Sequence, residues 1–95
     1  MRAILSRIIH AHPADSGFQF ETIIKEFEGV APIIGAELSD SAWHRNDKVK
    51  IESIIIETIH PDQYYVELTS KELTSYDEIQ RYVEMTKQHG WQTLN

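Results

Sequence analysis

The sequence predicts an α+β fold: a ferredoxin-like or related two-layer sandwich, with two helices on one face of an antiparallel sheet of about four strands. Three observations carry that expectation. Val49, Ile51, Ile54, Ile55, Ile56 and Ile59 form a β-branched run bounded by turn residues. Two stretches place apolar residues at helical spacing behind candidate capping residues. From residue 48 to residue 89, strand, tight turn, strand and helix follow one another almost without spacers.

Residues 1–10 put Ala3, Leu5 and Ile9 on one strand face and Ile4 and Ile8 on the other, as expected of an interior strand. Leu5, Ile8 and Ile9 also fit a helical spacing, but the alternation favours a strand. The polar stretch from His10 to Gly17 breaks the pattern. Phe20, Ile23, Ile24 and Phe27 then fall at i, i+3, i+4 and i+7, with Ser16 and Gln19 as a capping box and Gly29 as a stop, which predicts a helix over 17–28. Pro32 opens a short edge strand through Ile33, Ile34, Ala36 and Leu38, because proline cannot donate to a ladder. Residues 39–47 read as a loop.

In the next strand Val49 and Ile51 share one face, and Ile54 and Ile56 take the other unless a bulge near Ser53 shifts the register. His60-Pro61-Asp62-Gln63 suits a type I turn, with Pro61 presetting φ at its second position. Tyr64, Val66 and Leu68 alternate with Tyr65, Glu67 and Thr69 in the strand that follows. The final helix is marked by a Ser75/Glu78 capping box, Asp77 in the first turn and Gly90 past the last. Its core face is Tyr76, Ile79 and Val83, flanked by Tyr82 and Met85. Trp91 either packs back on the helix or opens a very short strand through Leu94.

With 95 residues, 41% of them hydrophobic, the chain holds one modest core and hence a single domain. The absence of cysteine excludes disulfides, zinc–thiolate sites and cysteine nucleophiles, and makes an intracellular, cytoplasmic setting the simpler expectation. No run reaches the roughly 18 apolar residues of a membrane helix, so no membrane partner is expected. Fifteen acidic against nine basic side chains give a formal charge of −6. That balance argues against nucleic acid as the primary partner, since phosphate contact wants a basic face. No cofactor is expected either: Gly17, Gly29, Gly35 and Gly90 stand alone, without a phosphate-cradling loop, and no nucleophile motif occurs.

Three groupings remain as candidate sites. His10 and His12, two apart, would project to the same side of a strand and could hold a divalent metal with Asp15, although metal sites usually take three or four ligands. Trp43, His44 and Arg45 join an aromatic surface, an imidazole and a guanidinium that could contact a partner or ligand. Trp43 could equally cap the core while Asn46 and Asp47 make a turn. Acidic residues recur every five positions from Asp47 to Asp77, a period that matches no helical face, and Glu57 and Glu67 could meet across the hairpin. If both helices lie on one face, Ile4 and Ile8, with Ile54 and Ile56, are left on the uncovered one. A second copy of the chain is then the simplest cover.

The leading functional expectation is a small acidic, non-catalytic interaction or regulatory protein, acting as a homodimer and addressing a basic protein partner. One alternative is a dimeric α+β barrel holding a small molecule or metal through histidines. A structural or assembly subunit, for example of a virion or larger complex, is another.

Overall fold

The computed structural model describes residues 2–29 and 31–94. Met1, counted from sequence in the first strand, lies outside them. The order of elements is β1 (Arg2–Ala11), β2 (Gln19–Glu28), β3 (Ile51–Ile56), β4 (Gln63–Leu68), β5 (Lys71–Leu73), α1 (Tyr76–Lys87) and β6 (Gln92–Thr93). All strands belong to one mixed six-stranded sheet, arranged β3-β4-β1-β2-β6, with β5 also paired to β1. The ferredoxin-like expectation is therefore wrong: among the described residues there is one helix, and β1 runs parallel to both β4 and β5.

The largest departure is β2, which occupies the segment expected to be a helix. It pairs antiparallel with the whole of β1, from Arg2 opposite Glu28 to Ala11 opposite Gln19. Thr22, Ile23 and Ile24 are β-branched and three phenylalanines flank them, so side-chain stiffness favours the pleated form once a ten-residue partner is available. Of the expected capping residues, Gln19 opens β2 opposite Ala11, while Ser16 serves a turn, its amide donating to the Pro13 carbonyl at 3.3 Å and its Oγ to Asp15 at 3.2 Å. Gly17 supplies the positive φ of 70° there.

The segment expected as an edge strand at Pro32–Leu38 is irregular, with Ile33 and Ile34 exposed. It docks beside residues 49–51 through three backbone hydrogen bonds of 2.8–2.9 Å, from Gly35 N to Ile51 O, Ile51 N to Ala36 O and Leu38 N to Val49 O.

Within the β3–β4 pair the register shifts between Ile51 and Ser53, where the sequence allowed a bulge. The extra residue lets Val49, Ile51 and Ile54 all face the core. Ile55 consequently turns to the opposite face, beside Tyr65, and Ile56 pairs with Tyr64 on the core side but remains exposed. Thus Ile54 and Ile56 do not join Ile4 and Ile8 on the uncovered face. The hairpin closes as expected, with the Gln63 amide donating to the His60 carbonyl at 3.1 Å.

One face of the sheet carries the core. Ala3, Leu5, Ile9 and Ala11 of β1 with Ile23 of β2 and Val66 and Leu68 of β4 pack under Ile79 and Val83 of the helix, with Trp91 sealing one end. Ser75 caps the helix, its Oγ accepting from the Glu78 amide at 3.2 Å, while Glu78 reaches back to the amide and hydroxyl of Thr74. Those two bonds hold the Glu78 carboxyl below its ordinary range. Tyr76 departs from its expected core position: it is exposed, and its hydroxyl donates to Glu21 at 3.1 Å. Gly90, at φ 92°, turns the chain so that Trp91 packs back and β6 pairs with β2, as the sequence allowed. Ser75→Ala is expected to lower stability by about 1 kcal/mol, the usual worth of an N-cap, measured as a shift in the urea midpoint.

Candidate functional site

The helix and residues 31–50 cover one side of the sheet; the other side is open. On it the even-numbered residues of β1, Ile4, Ser6 and Ile8, lie beside Ile24 and Thr22 of β2 and Tyr65 of β4, with Ile55 and Leu94 at the margins. Together they floor a hollow of about 930 Å³. Four carboxylates line it, Glu26, Glu52, Glu57 and Glu67, against one cationic side chain, Arg2. Glu57 and Glu67 do share this hollow, but Glu67 lies opposite Ser53 in the ladder, so the two are not a directly facing pair.

Polar groups on the floor are ordered. Arg2 donates through Nε to Gln63 Oε1 at 3.1 Å, and its Nη2 donates to the same oxygen. Gln63 Nε2 donates in turn to the Tyr65 hydroxyl at 2.8 Å. Tyr65 therefore accepts within this chain of bonds and keeps its own O–H available to the hollow. Such a surface, apolar at its centre and acidic at its edge, suits binding to an amphipathic, cationic group.

The sequence candidates do not gather into one place. Trp43 is half-buried and packs against Trp91, the ring centroids 5.2 Å apart and the planes inclined at 46°, and its Nε1 donates to the Leu38 carbonyl at 3.3 Å. His44 and Arg45 point outward, and His44 Nδ1 accepts from the Asn46 amide at 3.1 Å in the turn before β3. His10 and His12 both contact Phe18, with ring centroids at 5.6 and 6.4 Å, and Phe18 in turn contacts Phe20 at 5.7 Å. His10 also meets Ser70 Oγ at 3.3 Å, and His89 meets Ser41 Oγ at 2.9 Å. Among the described residues no three metal-ligating side chains come together. Nor, among them, is any helix long and apolar enough to cross a membrane.

Two polar nodes on the covered side escaped the sequence reading. Arg7, 1% exposed, donates through Nε to the Thr69 carbonyl at 2.7 Å, through Nη1 to the Tyr82 hydroxyl at 2.9 Å and through Nη2 to Asp47 at 3.2 Å, with its guanidinium 4.9 Å from the Trp43 ring. It interrupts an otherwise apolar alternating face, Ala3, Leu5, Ile9 and Ala11, and that interruption was the available signal. Burial raises the Tyr82 pKa and outweighs the attraction of Arg7 for a phenolate, so the hydroxyl stays neutral and accepts.

The second node is Asp40, which accepts from Lys25 Nζ at 2.8 Å, the Ala42 amide at 2.9 Å and Trp91 Nε1 at 3.1 Å. Burial pushes its carboxyl up, but these bonds and the Lys25 charge together hold it below the ordinary value. A depressed carboxyl contributes stability above its unfolded pKa of about 3.9, which is lost as pH falls through the folded value. Wild type is therefore expected to lose more stability than Asp40→Asn between neutral pH and pH of about 3, measured as the urea midpoint of each at both ends. Comparison of the chain with protein-family models, with curated proteins and with solved structures gives no match.

Proposed function

We propose that this chain is a non-catalytic interaction module that binds a basic protein segment on the open face of its sheet. The observation that carries the reading is the hollow itself: an apolar floor of Ile4, Ile8, Ile24 and Tyr65 left without a cover and edged by four carboxylates against one arginine. An apolar patch of that kind on a small chain marks a contact surface, and the excess of negative charge selects a cationic occupant. The formal charge of −6 adds long-range attraction for such a partner. A cytoplasmic setting, expected from the cysteine-free composition, belongs to the same proposal.

A labelled amphipathic peptide built from lysine and leucine is a suitable probe, with binding followed by fluorescence anisotropy. Binding should weaken as salt rises, because screening shortens the reach of the carboxylates. The triple variant Glu26→Lys, Glu57→Lys, Glu67→Lys should reduce affinity about tenfold or more, whereas Glu84→Lys on the exposed side of α1 should not. Equal binding by the triple variant and wild type would sink the proposal.

A further inference from the structure

β3 stands at one edge of the sheet, and past Ile51 no described strand pairs with its outer side. The edge is unusually bare. Residues 53–56, Ser-Ile-Ile-Ile, and the adjoining residues 31–36 contain no ionisable side chain. Ile33, Ile34, Ile55, Ile56 and Ile59 are 69, 62, 44, 65 and 81% exposed. Natural edge strands are ordinarily blunted by charge, proline or a covering segment, since unpaired backbone groups beside apolar side chains recruit another strand.

We propose that the free edge of β3 is the contact of a homodimer, in which β3 pairs antiparallel with β3 of a second copy about a two-fold axis. Charge separates this edge from the open face. Face-to-face association would press the acidic rims of two copies together, whereas residues 53–56 bring no charge to the contact.

The pairing also has a preferred register. With the axis at Ile55, Ile54 lies opposite Ile56 of the second copy, and Glu57 lies opposite its Ser53. Two-fold symmetry requires one residue to pair with itself, and moving the axis to Ile56 would set Glu57 against Ile55 of the other copy twice and Ser53 against Ile59, so fewer apolar side chains would match. Antiparallel pairing brings the Ile59 end of each β3 toward the end of the other where Gly35 and Ala36 bond to Ile51, and there Ile33 and Ile34 are exposed. Every exposed isoleucine of this corner thus gains an apolar neighbour. In this register residue 55 pairs with itself, so the two open faces lie on the same side of one continuous sheet and remain free for other partners.

Light scattering on a size-exclusion column is expected to give twice the 11.0 kDa of the chain. Ile56→Lys should return the monomer with an unchanged circular dichroism spectrum. The chain lacks cysteine, so a single introduced thiol reports the contact directly. Residues directly opposite in an antiparallel pair hold their Cβ atoms about 4.5–5.5 Å apart, near enough for Ile55→Cys to oxidise to a covalent dimer. Ile8→Cys, on the open face, should not cross-link. A monomeric wild type, a mass above the dimer, or cross-linking at residue 8 in place of residue 55 would overturn the proposal. These readouts hold even if the lysine variant fails to fold, and they are independent of the peptide-binding assay.

Discussion

Arg7→Ala is expected to destabilise the fold by about 3–5 kcal/mol, because it opens a cavity beneath Trp43 and takes the buried donor away from the Thr69 carbonyl and the Tyr82 hydroxyl together. That is a large share of the roughly 5–15 kcal/mol that holds a domain together. The guanidinium is the shared donor for the Thr69 carbonyl, the Tyr82 hydroxyl and the Asp47 carboxylate. Thr69 lies where β4 ends and before β5 begins, so its carbonyl faces Arg7 at the break between the two strands paired with β1. Arg7→Met should cost less. It keeps most of the volume beneath Trp43, while Asp47 retains Lys71 at 3.5 Å in both variants. Urea titrations of the two variants check the order; an alanine variant as stable as the methionine one would contradict it.

Trp91→Ala should cost a similar amount, about 3–5 kcal/mol, for the cavity left by a large buried aromatic residue. Trp91 is 2% exposed, packs against Trp43 and donates to Asp40, so its loss opens the end of the core and removes one bond from the acidic node at once. Trp91→Phe separates the two effects. It preserves most of the packing and should cost about 1 kcal/mol, near the net worth of one hydrogen bond. Its acid sensitivity should also fall, because Asp40 then has one donor fewer to hold its pKa down.

Local signals read from the sequence locate α1 and the Pro61 turn, and leave the β3 bulge and a short strand after Trp91 as open alternatives, since each depends on neighbours within a few residues. β2 was not legible in this way. Its apolar residues at 20, 23, 24 and 27 satisfy a helical period because the strand uses both faces, Ile23 inward and Ile24 toward the hollow. Its covered face also carries Glu21 and Lys25, which bond to Tyr76 and to Asp40 and the His89 carbonyl. Those partners lie far along the chain, so alternation was disguised by contacts that only the tertiary fold supplies. An uncovered face is expected from the sequence, but not which residues of β2 and β3 floor it. A strand in place of the first expected helix adds Thr22 and Ile24 to it, and the bulge, one of two alternatives the sequence leaves open, decides which isoleucines of β3 lie where. Ile4 and Ile8 lie on the uncovered face, as their position in β1 predicts, whereas Ile55 reaches it only through the shifted register of β3.

The parallel pairing of β1 with β4 bears on how the chain folds. Arg2 and Gln63 are neighbours although 61 positions separate them, so the middle of the sheet closes only after a long loop has been ordered. The β1–β2 hairpin can form early from local contacts, but it then waits with its apolar residues uncovered until the β3–β4 hairpin and Trp91 arrive. Folding of this chain should accordingly be slow for its size, as it is for domains built on distant strand pairings, and the waiting hairpin is the species most exposed to misassembly.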